Sequence, residues 1–200
     1  MRHVLAASGL ILYAAVSCYA QRPKPLPSPV SRMVANAHRQ TRVTRYYDPA
    51  YVKLAYPNGD VPPDRGVCTD VVIRALRATG KDLQKLVHDD MSGAFGAYPR
   101  KWGLRRPDAN IDHRRVPNLQ TYFRRHGKSR PVTRSDADYQ PGDIVSWQLP
   151  NGRDHIGVAS DTLVAGTRRR AVIHNIGQGT REEDVLFAWK ITGHYRYFKR

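Results

Sequence analysis

The chain has 200 residues, 40% of them hydrophobic, and carries 33 Lys and Arg against 17 Asp and Glu, a net charge of +16. That hydrophobic share can build a core but is too small for a polytopic membrane protein, and without a G-x-Y period, heptad run or internal repeat the chain is neither fibrous nor a solenoid. So basic a surface is drawn to polyanions: nucleic acid, an anionic envelope polymer or a membrane face.

The first twenty residues bear on the compartment. Met1-Arg2-His3 is a short basic start, and residues 4–20 are uncharged and rich in Ala and Leu before Gln21. This has the form of a secretory signal, with cleavage expected after Ala20. No stable membrane span is expected, because the stretch is short and runs straight into Gln21-Arg22-Pro23. Ala15-Val16-Ser17-Cys18 also reads as a bacterial lipobox, which offers lipid anchoring through Cys18 as an alternative. A periplasmic or secreted location follows. Peptidoglycan or another anionic envelope polymer is then the expected partner rather than nucleic acid, for which no zinc-finger, RNP-like or helix-turn-helix signature is present. A monomer is expected.

Residues 21–39 read as a Pro-rich tether and polar segment, with Pro at 23, 25, 27 and 29. A polar helix is predicted over residues 31–45, and the folded domain is placed at residues 40–200. Turn chemistry fills residues 56–65. A helix is predicted from Cys68 to Thr79, with Val71, Val72, Ala75 and Leu76 on one face and Gly80 ending it. Further helices are predicted over Asp82–Met91 and Asn118–Arg125, the latter stopped by Gly127, with irregular chain at residues 92–117. Beyond Gly127 the period changes, and strands are predicted over Asp143–Trp147, His155–Ser160, Arg170–Asn175, Val185–Trp189 and His194–Phe198. Helices first and antiparallel strands after make an α+β domain.

Cys68 opens the first strong helix, where backbone N–H groups favour a thiolate. A thiol also needs a base. His155 begins one predicted strand and His174 ends the next, so adjacent antiparallel strands could set them side by side, one as base and one orienting it. Asn175 is the other candidate for the orienting role, although strand alternation points it away from the face that His174 occupies.

Cys68-Thr69-Asp70, Pro141-Gly142-Asp143-Ile144-Val145, His155-Ile156-Gly157-Val158 and Val172-Ile173-His174 together resemble the NlpC-type papain-like cysteine peptidases. The resemblance implies a papain-like α+β fold with the Cys at a helix N-terminus packed on a curved antiparallel sheet. It implies Cys68 as nucleophile, His155 as base, His174 as the orienting residue, and cleavage of peptide bonds in peptidoglycan stems without a cofactor. That superfamily also places a Tyr about a dozen residues before the nucleophile, which points to Tyr56, and Asp70 and Asp154 flank the two reactive side chains. The chain departs from the pattern at Val67-Cys68-Thr69-Asp70 and in the long span between Cys68 and His155. Tyr-Pro-Asn-Gly-Asp-Val-Pro, Gly-Val-Cys-Thr-Asp-Val-Val-Ile-Arg, Asn-Ile-Asp-His-Arg-Arg-Val-Pro-Asn-Leu and Ile-Thr-Gly-His-Tyr-Arg are more specific. They resemble the secreted bacterial domain-of-unknown-function 1287 family over about residues 40–198.

The densest polar cluster runs from Asp108 to Arg115. Asp112, His113, Arg114 and Arg115 could line the cleft and grip substrate carboxylates, or the loop could be locked by its own Asp–Arg hydrogen bonds. His88, Asp112, His113, His155 and His174 are metal-ligand types, but no His-x-His, His-Glu-x-x-His or Cys-x-x-Cys spacing supports a zinc site. A zinc amidase and a non-catalytic basic envelope-binding module remain as alternatives.

Overall fold

The computed structural model describes residues 28–198. The signal-like segment, Cys18 and most of the Pro-rich stretch lie outside the described residues. Helix α1, Pro29–Val43, starts on a capped turn: Ser28 accepts a hydrogen bond from the Ser31 N–H at 3.1 Å, and Pro29 takes the first helical position. Its buried residues, Met33, Val34, Ala37 and Gln40, fall on one face. Gln40 donates to the Val71 carbonyl at 3.1 Å. The folded domain therefore begins before residue 40, and the expected boundary there is corrected. The helix is polar in composition, yet its few apolar residues share one stripe, and that stripe is core.

Helix α2, Cys68–Arg77, follows a short parallel pair made by β1, Tyr46–Tyr47, and β2, Arg65–Gly66. Val71, Val72, Ile73, Ala75 and Leu76 of α2 are all enclosed, as expected for a helix wedged between other elements. Helix α3, Leu83–Ala94, is capped by Asp82, which accepts from the Gln84 N–H at 3.2 Å. Helix α4, Val116–Arg125, has Pro117 in its first turn. Gly80 and Gly127, with φ of 84° and 63°, follow the ends of α2 and α4 in the conformation that terminates helices.

The main sheet has six antiparallel strands: β3 (Ser129–Arg130), β4 (Ile144–Gln148), β5 (Asp154–Leu163), β6 (Arg170–Asn175), β7 (Thr180–Glu183) and β8 (Lys190–Tyr195). They lie in the order β3-β8-β4-β5-β6-β7. Alternation divides its two faces. Ile144, Ile156, Val158, Ile173 and Tyr195 join the core shared with the helices, whereas Val145, Trp147 and Val172 form a second cluster with Tyr139 and Leu186. The α+β class expected from the sequence is the one observed, with Cys68 at a helix N-terminus beside an antiparallel sheet.

Two strands are misplaced by the sequence pattern: the one expected at His194–Phe198 is β8, Lys190–Tyr195, and shares only two residues with it. Val185–Trp189 is a turn, and the strand before it is Thr180–Glu183. The apolar run mimics a strand because it covers the second cluster: Leu186 is fully enclosed, and its carbonyl accepts from the Trp147 indole N–H at 3.0 Å.

Candidate active site

The sulfur of Cys68 lies where α2 meets the sheet. Pairing of β5 with β6 starts at Val158 opposite Ile173. Ahead of that point the backbone N–H groups of Ile156, Thr69 and Cys68 come near enough to the Cys68 sulfur to favour its thiolate. The thiol thus lies near the backbone of Ile156, the residue that follows His155 in β5, while the His155 ring packs with Trp147 and Trp189. Burial nevertheless outweighs these donors and pushes the thiol up to about 12. The expected thiolate at the helix start is therefore corrected: the resting sulfur is a neutral thiol.

His155 and His174 are brought together by the register of β5 and β6. Nε2 of His155 lies 2.8 Å from Nδ1 of His174, and both rings are almost wholly enclosed. Burial, and then the charge of His174, pull His155 down to about 3. Burial also lowers His174, against the opposing pull of Glu183. Oε2 of Glu183 stands 2.9 Å from Nε2 of His174, out of line for a hydrogen bond but at ion-pair distance. Trp189 sits edge-on to both rings, at 5.6 and 6.0 Å between centroids.

A cleft of about 390 Å³ opens beside Cys68, with Tyr47, Trp102, Arg115, Arg153 and Asp154 among its walls. Lys101, Arg114, Arg115 and Arg153 make its lining cationic, with Asp154 as the acidic residue. Lys101 Nζ is 3.9 Å from the Asp154 carboxylate. A larger pocket of about 560 Å³ at the start of α1 has neither thiol nor imidazole in its walls.

The other expected residues divide by what they hold. Asp70 accepts from the Val67 N–H at 2.6 Å, which caps α2, and pairs with Arg114 at 3.0 Å through both Nε and Nη2. Arg114 also donates to the carbonyls of Ala50 and Asp48, at 3.1 and 3.3 Å. It is therefore a clamp between α2 and a cleft wall, with four hydrogen bonds already made. Asp112 accepts from the Asp108 N–H and from Arg115 at 3.3 Å. Arg115 also lies over the Trp102 ring, 4.1 Å from its centroid. His113 is buried, and burial followed by Arg114 pulls it down to about 4. The cluster is thus locked largely by its own ion pairs, and among its four expected residues Arg114 and Arg115 reach the cleft.

Asn175 faces away from His174, as alternation requires. Its Nδ2 donates to the carbonyls of Gly66 and Tyr46, at 3.0 and 3.3 Å, and ties down the chain that enters α2. Tyr56 is a correction. It is half exposed, donates to Asp89 at 3.2 Å and does not line the cleft. Tyr47 lines the cleft, beside Gly66 in the parallel pair, and burial and the neighbouring Cys68 both raise its hydroxyl pKa. Sequence reasoning also missed Lys101, Trp102 and Arg153 at the cleft, and Glu183. The Glu183 contact depends on β7, which the apolar run at 185–189 concealed.

Among the described residues no three His, Cys, Asp or Glu side chains gather in a group that could hold a metal ion. Among the same residues no helix is long and apolar enough to cross a membrane.

Comparison with known proteins adds family membership. The uncharacterized protein YijF of Escherichia coli (strain K12) is 55% identical over 197 residues, covering 94% of this chain and 96% of that protein. The solved structure of NlpC1 from Trichomonas vaginalis aligns with a TM-score of 0.45 at 13% identity, over 86% of this chain and 45% of its own length. The chain thus spans less than half of that structure. The model of the family described as domain of unknown function (DUF1287) matches residues 34–197, and the chain belongs to that family.

Proposed function

We propose that the protein is a cysteine peptidase or amidase of the papain type that cuts peptide or amide bonds in peptidoglycan stem peptides. In this reading Cys68 is the nucleophile, His155 the base and His174 the residue that orients it. The observation that carries it is the placement of a helix-start thiol near the backbone of the residue that follows a histidine, one nitrogen of which is already held by a second histidine, beside a cationic cleft. Isolated core cysteines and histidines do not require that alignment. The signal-like N-terminus would deliver such an enzyme to the envelope, where the +15 charge left after removal of residues 1–20 suits an anionic polymer.

The chemistry follows from the neutral resting pair. Nε2 of His155 is engaged by His174, so Nδ1 takes the thiol proton as sulfur attacks the substrate carbonyl. The N–H groups of Cys68 and Thr69 at the helix start are donors at hand for the developing oxyanion. Protonated His155 then gives its proton to the leaving amine. A water, deprotonated by the same nitrogen, hydrolyses the thioester and restores the thiol. Lys101 and Arg153 favour substrates that carry carboxylates, as acidic stem peptides do.

Mass spectrometry of purified peptidoglycan incubated with residues 21–200 tests this. New amine and carboxyl ends are expected with the wild-type protein and none with Cys68→Ala. Products that persist in Cys68→Ala, or that vanish with a chelator and return with zinc, would overturn it.

A further inference from the structure

We propose that Glu183 is a positioning residue for this site: its carboxylate holds a proton on Nε2 of His174 and so leaves Nδ1 of His155 unprotonated. Its consequence for catalysis rests on the reading of Cys68 and His155 given above; its geometry does not. Two neutral imidazoles joined by one hydrogen bond share one proton between the facing nitrogens, so the 2.8 Å bond between Nε2 of His155 and Nδ1 of His174 admits two arrangements. In the first, His174 carries its proton on Nδ1 and donates it. Neutral His155 must then carry its own proton on Nδ1, where it presents an N–H and cannot act as a base. In the second, His174 carries its proton on Nε2, and its Nδ1 accepts from His155. His155 then keeps a lone pair on Nδ1, which is the form that can take a proton from a thiol. The tautomer of His174 therefore decides whether His155 is a base.

Glu183 selects the second arrangement. Its Oε2 is 2.9 Å from Nε2 of His174, and a negative charge there favours a proton on the nearer nitrogen even though the approach is out of line for a hydrogen bond. The ring is enclosed while the Glu183 side chain is 40% exposed, so the carboxylate stays hydrated while acting on a group of low surrounding dielectric. The sheet explains the placement. Arg181 pairs directly with His174, and Glu183 follows it on the same face, one diagonal step away. Glu182 lies on the opposite face, where it accepts from the Ser160 hydroxyl and meets His38 at 3.5 Å. The two adjacent acids thus serve different histidines.

The test is ¹⁵N NMR of the imidazole nitrogens at neutral pH in wild type, Glu183→Ala, Glu183→Gln and, as the neighbouring control, Glu182→Gln. Wild type should show His174 protonated on Nε2 and bare on Nδ1, with His155 protonated on Nε2. Glu183→Ala should move His174 toward a mixture of both tautomers and slow stem-peptide hydrolysis about tenfold, the lower end of what outer partners of a functional imidazole contribute. Glu183→Gln should recover part of both, because its carbonyl can still accept, and Glu182→Gln should shift neither ring. A wild-type His174 protonated on Nδ1, or ring shifts unchanged in Glu183→Ala, would overturn the proposal. The ring signals need no substrate. Absence of hydrolysis in every form would therefore sink the hydrolase reading and leave the tautomer result to decide Glu183. Glu183 is part-exposed on the terminal strand, and amide spectra of the variants report whether each stays folded.

Discussion

His155 and His194 sit on the same sheet, both nearly sealed from water, and each lies in a network that ends in a carboxylate, yet the two networks are wired differently. His194 has an acceptor at each nitrogen: the Pro131 carbonyl 3.0 Å from Nδ1 and Asp143 Oδ2 2.8 Å from Nε2. Tyr139 stacks on its ring at 4.3 Å, and Arg196 grips both oxygens of Asp143 at 2.7 Å. His155 engages His174 through one nitrogen, and the far end of that pair meets a part-exposed Glu183. A histidine with both nitrogens committed fixes a fold, because turning or removing the ring breaks both contacts at once. A histidine with one nitrogen committed is oriented and still able to exchange a proton.

The sharpest way to break this comparison is to remove one side chain from each network. His155→Ala should lose roughly a hundredfold to ten-thousandfold in hydrolysis, the range of general acid–base catalysis, in protein whose amide spectra show it folded. A His155→Ala protein that remains fully active would make the two networks equally structural. The converse test removes the carboxylate of the other array. Asp143→Ala leaves Arg196 and His194 facing an empty site and should cost about 3–5 kcal/mol in urea unfolding. If its midpoint matches wild type, the Asp143 network is not a structural lock.

A third test uses pH. His155 and His113 are both pulled down on folding, to about 3 and about 4. A lowered folded pKa gives stability that is present above the unfolded value, near 6.5, and is lost as pH falls toward the folded value. Stability should therefore decline between about pH 6.5 and pH 3–4, since the unfolded chain takes up protons that the buried rings refuse. His113→Gln should remove roughly 3 kcal/mol of that dependence, because a shift of about 2.5 pH units is released. An unchanged stability–pH curve in His113→Gln would show that His113 is not held neutral. The smallest effect concerns Asn175. Its amide joins the carbonyls of Gly66 and Tyr46, so Asn175→Ala should cost about 1–3 kcal/mol in thermal or urea unfolding with the His155–His174 ring signals unmoved. Altered ring signals would place Asn175 in the array after all.

The comparison also shows what could be read from the chain beforehand. The ends of α2, α3 and α4 were legible because Asp82, Gly80 and Gly127 are local signals that need no tertiary context. Cys68, His155 and His174 were legible because each sits at an element end with a distinctive flank. Helix α1 is legible as a helix but not as core, since four buried positions are hard to see among so many polar ones. Tyr47, Lys101, Trp102 and Arg153 reach the cleft from irregular or very short elements, where no periodicity announces a direction. Tyr56 was selected by its distance along the chain, but the loop from residue 48 to 64 doubles back and brings Tyr47 to the cleft instead. Glu183 was hidden by the neighbouring run Val185-Leu186-Phe187, whose apolar character belongs to a turn over Trp147.

The buried thiol also bears on oxidation. Thiolates, not thiols, attack peroxide and disulfides, and Cys68, the free cysteine among the described residues, is held as a thiol by its enclosure. A cysteine so held resists conversion to sulfenic acid until something arrives in the cleft to draw off its proton. Shelter from water therefore doubles as shelter from oxidants while the cleft is empty of substrate.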